Sequence, residues 1–440
     1  MISLNTAATA ISCGDIHPEA LTRACLERIS EREAKIGAWA FLDPQYALKQ
    51  AQKADRLRRT GRDTGALHGV PIGVADLFDS KDMPCEWGSP LYRERRCGEN
   101  AQVVSLLHAA GAVLPGKCAT SELGLFTVGK TRHPQATDRP VLGGAAGAAA
   151  AVADGMLPAA VALQGEGDLI HAAAQCGIVG YVPSAGLISR RRAIPRSPTL
   201  DRVGVLARTL DDAALLAQTL MVYDDGDSGM VLQARPRLTQ GVQAQPPVAP
   251  RFGVVYTPWW DEADEAMQAS MGELVAALSG SAATEEFALG SAYTRVPQRL
   301  SMLFATEWAY NFSNKLSQLE QPLSAALQTR LTQGGAVLAS DYLRVLDECQ
   351  HLRHQLEGVF LWCDALITPA AHGAIDNSAA TQSALFALPW QLLGLPTLTL
   401  PLFENEAGLP MGLQLVGSPL GDSRLLRTAN WLLQQLVDTD

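Results

Sequence analysis

The chain has 440 residues, of which 47% are apolar and 18% charged, with a formal net charge of −10. That balance allows a sizeable buried core and argues against a disordered chain. The acidic surplus argues against a nucleic-acid partner, because phosphate contacts need clustered Lys and Arg. No window approaches 18 uninterrupted apolar residues, so no membrane span is expected, and the N-terminus lacks the basic-then-apolar pattern of a signal peptide. The expected location is the cytoplasm.

In chain order, apolar residues over 5–32 trace helical faces broken by Gly14 and Pro18, which predicts two helices, with Asp15 able to cap the second. A helix is predicted over 44–60, then a strand and turn over 67–78 punctuated by Gly69 and Pro71. A helix over 102–111 should lead into a short buried strand at 112–114. Residues 143–153 are almost entirely Gly and Ala, so a helix built there lets another backbone come very close. A buried apolar run follows at 156–163, then a tight loop at 165–167. The stretch 224–250, rich in Asp, Gly, Gln and Pro, reads as a surface connection between two halves of a single 440-residue domain. Beyond it, strands are expected at 252–256 and 365–368, and helices at 262–278 and 423–436. This alternation of strands and helices predicts an α/β fold.

Eight cysteines are scattered without a C-x-x-C pair and read as reduced thiols that mostly fill core space. Arg190, Arg191 and Arg192 form the densest basic run, expected to be a solvated loop. Glu348, His351 and His354 share a predicted helix, and an exposed polar face is the favoured reading over a metal site. Trp259 and Trp260 are assigned to the core in preference to a pocket wall.

Three motifs carry a resemblance. Leu67-His-Gly-Val-Pro-Ile-Gly-Val-Ala-Asp76 is similar to the first motif of the amidase signature family, G-V-P-x-x-x-K-D. Residues 143–155 resemble that family's Gly/Ser-rich helix, and Gln164-Gly-Glu-Gly-Asp168 resembles the loop ending in its nucleophilic serine. Register agrees, because the family places its nucleophile ten residues after a proline and a cysteine eighteen after, and here Pro158 is followed by Asp168 and Cys176. Pro198-Thr-Leu-Asp-Arg-Val-Gly-Val-Leu-Ala-Arg208, Asp364-Ala-Leu-Ile-Thr-Pro369 and Gly412-Leu-Gln-Leu-Val-Gly417 extend the likeness over nearly the whole chain. The resemblance implies an α/β/α sandwich around a large mixed, mainly parallel sheet.

The resemblance also implies a catalytic lysine and two catalytic serines. At those positions this chain has Ala75, Gly144 with Ala145, and Asp168, and no serine occurs from Val141 to Gly167. Alanine accepts no proton, glycine and alanine relay none, and members of such triads act as a unit. Glu166 replaces a small residue, and its charge is expected to oppose a developing oxyanion. The function expected on these grounds is that of a non-catalytic homologue serving as a structural or regulatory subunit. Alternatives are a protein that binds a small amide, urea or carboxylate, and a hydrolase with new chemistry at Glu166, Asp168 and His171. Gly165, Glu166, Gly167, Asp168 and His171 are the ligand-binding candidates. Glu166, Asp168 and His171 are also a weak metal-ligand set, and no cofactor is expected. The partners expected are a second copy or another protein chain, and a small-molecule ligand.

Overall fold

The computed structural model describes residues 2–61, 64–316, 323–376 and 384–437. Its strands, in chain order, are β1 (Trp39–Leu42), β2 (Ile72–Val74), β3 (Gly116–Cys118), β4 (Val128–Arg132), β5 (Pro140–Leu142), β6 (Ala159–Gln164), β7 (Val179–Val182), β8 (Arg202–Ala207), β9 (Arg251–Tyr256), β10 (Ala283–Ala288), β11 (Ala365–Pro369), β12 (Thr397–Glu404) and β13 (Pro410–Val416). Nine of them form one sheet in the order β10-β9-β11-β13-β12-β7-β8-β6-β2. The mixed sheet of an α/β fold is as expected. Its parallel pairs lie at the two ends, β10–β9–β11 and β6–β2. The pairs between them are antiparallel. Strands from both sides of residues 224–250 enter this sheet. That stretch is mostly irregular but contains a helix, Leu238–Gln243, whose Leu238 and Val242 are buried.

Local physics explains most boundaries. The first helix, Leu4–Cys13, is capped by the Ser3 side chain and ends at Gly14 in the left-handed region. The second, Pro18–Ile36, starts with proline at its first position and takes no side-chain cap, so Asp15 does not play that part. The Asp43 side chain caps helix Pro44–Arg59. The expected strand at 112–114 is displaced. Val113 makes only an isolated parallel bridge to Pro71, and regular pairing begins at β3, against β1.

The apolar faces of the terminal helices turn inward. Leu4, Ala7, Ile11, Cys25 and Ile29, and at the other end Leu425, Leu426, Ala429 and Leu432, are all buried in the chain's own core. The helix of small residues, Ala146–Ala153, is buried along almost its whole length. A methyl group on Gly147 would lie 2.5 Å from the carbonyl oxygens of both Ala119 and Ala38, which is the close backbone approach its composition predicts. Among the described residues, no helix is long and apolar enough to cross a membrane.

Candidate active site

The site sits where helix Ala146–Ala153, strand β6 and the following helix, Asp168–Gln175, meet. Strand β6 delivers the chain to the tight loop 165–167, and Gly167, at φ +82°, turns it into the helix. A side chain there would also strike Ala384 and Ala387. The loop is pinned from inside, where Gln164 bonds to Gln391 and accepts from the Ile170 N–H.

Asp168 is the first residue of that helix and only 1% exposed. One carboxylate oxygen accepts from the Gly144 N–H at 2.9 Å and the other from the Gly165 N–H at 3.0 Å. A carboxylate at a helix N-terminus is favoured by the helix dipole. Burial nevertheless raises the Asp168 pKa, with the Arg196 charge and the two N–H groups opposing that rise. Space links this residue to Gly144, since a Cβ at position 144 would stand 3.1 Å from an Asp168 oxygen and 3.0 Å from Leu77. A side chain at 144 would therefore crowd the carboxylate at 168.

Glu166 is neutralised by Arg330, at 2.8 Å, and its other oxygen accepts from the Phe126 N–H at 3.4 Å. The expected opposition of Glu166 to an oxyanion therefore loses its basis, because the charge is paired. Arg196, fully buried, pairs with Asp201 at 2.8 Å and also donates to the Gly124 carbonyl. Both guanidinium groups lie over the ring of Phe304. A cavity of about 270 Å³ adjoins this group, bordered by Leu163, Arg190, Arg196, Asp201 and Asn311.

His171 is buried edge-on to Phe126, with ring centroids 5.3 Å apart. It does not join Glu166 and Asp168 in a metal-binding group. Asp168 turns back to the backbone of Gly144 and Gly165, and Glu166 turns outward to Arg330. Among the described residues, the one such group whose ligand atoms converge is Asp79, Cys85 and Cys97. The helix set also separates. Glu348 pairs with Arg299 at 2.5 Å, His351 bonds to the Asp347 carbonyl, and His354 is paired with Glu357.

Ala75 is buried beside β3, with its N–H bonded to the Val161 carbonyl. Its neighbour Asp76 accepts from the N–H groups of Glu86 and Gly88 and lies 3.5 Å from Lys117 Nζ. Lys117 is wholly buried and donates to the Phe78 carbonyl at 2.5 Å. The arginine run is a loop in which Arg191 and Arg192 are exposed, as expected, but it is also anchored: Arg190 and Arg191 pair with Asp227 and Asp224 at the start of the 224–250 stretch, and Arg192 with Glu99. His133, buried in a loop, accepts at one ring nitrogen from the N–H groups of Gln135 and Ala136 and donates from the other to the Gln175 carbonyl. Trp259 and Trp260 are half-buried against the core, as assigned.

The family model described as Amidase matches residues 20–426. This chain belongs to the amidase family. It is 29% identical to a glutamyl-tRNA(Gln) amidotransferase subunit of Chloroflexus aggregans, over 98% of this chain and 95% of that one. A crystal structure of an amidase superposes with a TM-score of 0.85 at 28% identity, covering 99% of this chain and all of the other. A chain from a vestigial protein complex, solved in connection with the origins of an s-triazine catabolic enzyme, gives a TM-score of 0.91 at 24% identity. It covers 99% of each chain and shows the shared fold. These relatives overturn the expectation of a non-catalytic structural or regulatory role. The amidotransferase and the amidase are named for enzymes, and the former matches from end to end. That the amidotransferase relative is one component of a larger enzyme agrees with the expectation of a multi-chain setting for such proteins.

The sequence did not point to Arg196, Arg330 or Lys117. For Lys117 a signal was present, as a lone lysine within the run Ala112-Val-Leu-Pro-Gly-Lys-Cys-Ala119 must find a buried partner. For the two arginines none was, because both reach the loop through tertiary packing, Arg330 from 164 residues beyond Glu166.

Proposed function

We propose that this chain acts on a carbon–nitrogen bond of amide type, as the amidase-fold component of an enzyme assembled from more than one chain. The observation that carries this reading is the family match, which runs from residue 20 to residue 426. The site is the loop of Gly165, Glu166, Gly167 and Asp168 with His171 behind it, and the cavity beside Arg196 receives the substrate. Asp168 is the acid–base group. As water attacks the amide carbonyl carbon, it gives a proton to the carboxylate. As the tetrahedral adduct collapses, the carboxyl returns that proton to the departing amine, leaving acid and amine. Three features support this role. Burial raises the pKa of Asp168, which makes its carboxylate a stronger proton acceptor than a solvated one. Arg330 pairs with Glu166 and the Arg196 charge, although shared with Asp201, also acts on Asp168, so both loop carboxylates are partly offset. The cavity is rimmed by polar groups able to orient a carbonyl or carboxylate.

The test is ammonia or amine release from primary amides, glutamine and ureas. It uses the purified chain and the assembly recovered with it from the native host. Asp168→Asn should lower release by about 10²- to 10⁴-fold, the usual contribution of a positioned acid–base group. Absence of release from both preparations would sink the reading. Release unchanged in the Asp168→Asn protein would remove Asp168 from it.

A further inference from the structure

Residues 79–101 form a hairpin off the segment that carries Ala75 and Asp76. Its base is closed by the Ala101 N–H on the Asp79 carbonyl, and its stem by the antiparallel bridge between Pro84 and Arg96. Two of the eight cysteines, Cys85 and Cys97, face each other across that stem. Their sulfurs and a carboxylate oxygen of Asp79 all lie within 4.8 Å of one another. At the centre stands one nitrogen of Arg95, donating to Asp79 at 2.9 Å, to Cys97 Sγ at 3.1 Å and to the Cys85 carbonyl at 3.1 Å. The guanidinium is held in place by the ring of Trp87, 4.0 Å away. Arg95 thus bridges Asp79 and Cys97, and its positive charge suits a negatively charged sulfur at Cys97.

We propose that Cys85 and Cys97 are a reversible dithiol in which a peroxide oxidises Cys97 and Cys85 resolves the product to a disulfide across the hairpin. The Cys97 thiolate attacks one peroxide oxygen. A sulfur–oxygen bond forms, the oxygen–oxygen bond breaks, and hydroxide leaves. The Cys85 sulfur then gives up its proton and attacks the oxidised sulfur. The sulfur–sulfur bond forms as the sulfur–oxygen bond breaks, and the second oxygen departs as water. Two thiols lose two electrons to one peroxide, which ends as two waters.

The two sulfurs suit unequal parts. Cys97 is 8% exposed and Cys85 is wholly enclosed, with its thiol 3.2 Å from the Phe78 carbonyl. The Cys85 thiol donates its proton to the Phe78 carbonyl; the nearby Cys85 sulfur and the Arg95 charge lower the Cys97 pKa against burial and the Asp79 carboxylate, while closeness to Cys97 and burial raise that of Cys85. A low-pKa thiolate beside a protonated partner is the pairing that favours attack first by the one and resolution by the other. The bridge would stiffen the hairpin behind Phe78, whose carbonyl also receives Lys117.

The full-length chain carrying Cys13→Ser, which removes the exposed thiol, is treated with hydrogen peroxide, alkylated and weighed intact. We expect two thiols to disappear together, a peptide linking 85 to 97, and full return with dithiothreitol. In this otherwise native chain, Cys97 should react with iodoacetamide about 10-fold or more faster than buried Cys176. Cys85→Ser should leave a sulfenic acid on Cys97 that dimedone captures, and Cys97→Ser should abolish the reaction. Thiols that survive the oxidant, a bridge formed elsewhere, or equal alkylation rates at Cys97 and Cys176 would overturn the proposal. So would protection of both thiols by stoichiometric zinc, which would make the group a metal site.

Discussion

Asp76 and Asp168 are both buried carboxylates beside the small-residue helix, and the molecule accommodates them in different ways. Asp76 accepts from two backbone N–H groups of its own hairpin and faces a lysine that is itself committed to the Phe78 carbonyl. Asp168 accepts from two glycine N–H groups, and its nearest cation, Arg196, is engaged in a separate pair with Asp201. Burial raises the pKa of both. The difference lies in where compensation comes from. Asp76 is served by the Glu86 and Gly88 N–H groups and by Lys117, whereas the charge balance around Asp168 depends on Arg196, which is shared with Asp201, and on Arg330, far along the chain, which answers Glu166. The first carboxylate belongs to the scaffold, and the second sits in a charge network that several segments must assemble.

The largest expected effect is on that network. Arg196→Met leaves Asp201 buried without its partner and Asp168 without its nearest positive charge. Breaking a buried pair in this way should cost about 3–5 kcal/mol in urea or guanidinium unfolding. The deficit should shrink as pH falls and the abandoned carboxylates protonate. A cost below about 1 kcal/mol would show that the network is not needed for stability.

Lys117→Met tests the other side. Asp76 keeps the Glu86 and Gly88 N–H groups, so the cost should fall near the lower end of the same range, about 3 kcal/mol. Adding Asp76→Asn to it should recover part of the loss, measured as a double-mutant cycle. A lysine deletion costing more than the arginine deletion would reverse the ranking of the two sites.

The same contrast explains what the sequence makes legible. Gly147 and its alanine neighbours disclose a close backbone approach because side-chain volume is written directly into composition. The caps at Ser3 and Asp43 act within three residues of their targets and so lie in the local sequence, yet the cap assigned from it, Asp15, is not taken because Pro18 opens that helix without one. The positions Ala75, Gly144 and Asp168 are found by motif and register alone. Their partners are not, because Arg196 and Arg330 approach through tertiary packing that leaves no local period. The reading of Glu166 as an uncompensated charge fails for that reason, and the ion pairs that anchor the exposed arginine loop at 190–192 are unforeseen for the same one. Inferring lost function from substituted positions fails more broadly, since end-to-end likeness to enzymes is a property of the whole chain.

Asp168→Asn should have a smaller effect on stability than either cation deletion. The amide keeps the shape but turns one acceptor into a donor facing a backbone N–H, which costs about 1–3 kcal/mol for an unsatisfied buried group. The pH dependence has a definite sign. The folded-state pKa of Asp168 is raised, so the fold binds its proton more tightly than the unfolded chain does. Its stabilising contribution is therefore complete below the unfolded carboxyl value and declines as pH rises toward the folded value. The stability of the native chain relative to Asp168→Asn should increase on acidification below neutral pH. A flat difference would mean that Asp168 is not perturbed in the fold.

The smallest effect is expected at Glu166. Its pair with Arg330 retains some contact with solvent, the two side chains being 14% and 17% exposed, and pairs that are not fully buried contribute modestly. Glu166→Gln keeps an oxygen for Arg330 and another polar atom toward Phe126, so unfolding should change by about 1 kcal/mol or less. The interest lies in the comparison with Arg330→Met, which keeps the loop carboxylate and removes its cation. If charge balance on the loop is what matters, Arg330→Met should impair ligand binding or turnover more than Glu166→Gln, although both break the same pair. Equal impairment would indicate that the pair acts as a tether for the helix that carries Arg330. The loop's charge would then rest on Arg196 alone, and the contrast between a self-contained Asp76 and a dependent Asp168 would narrow.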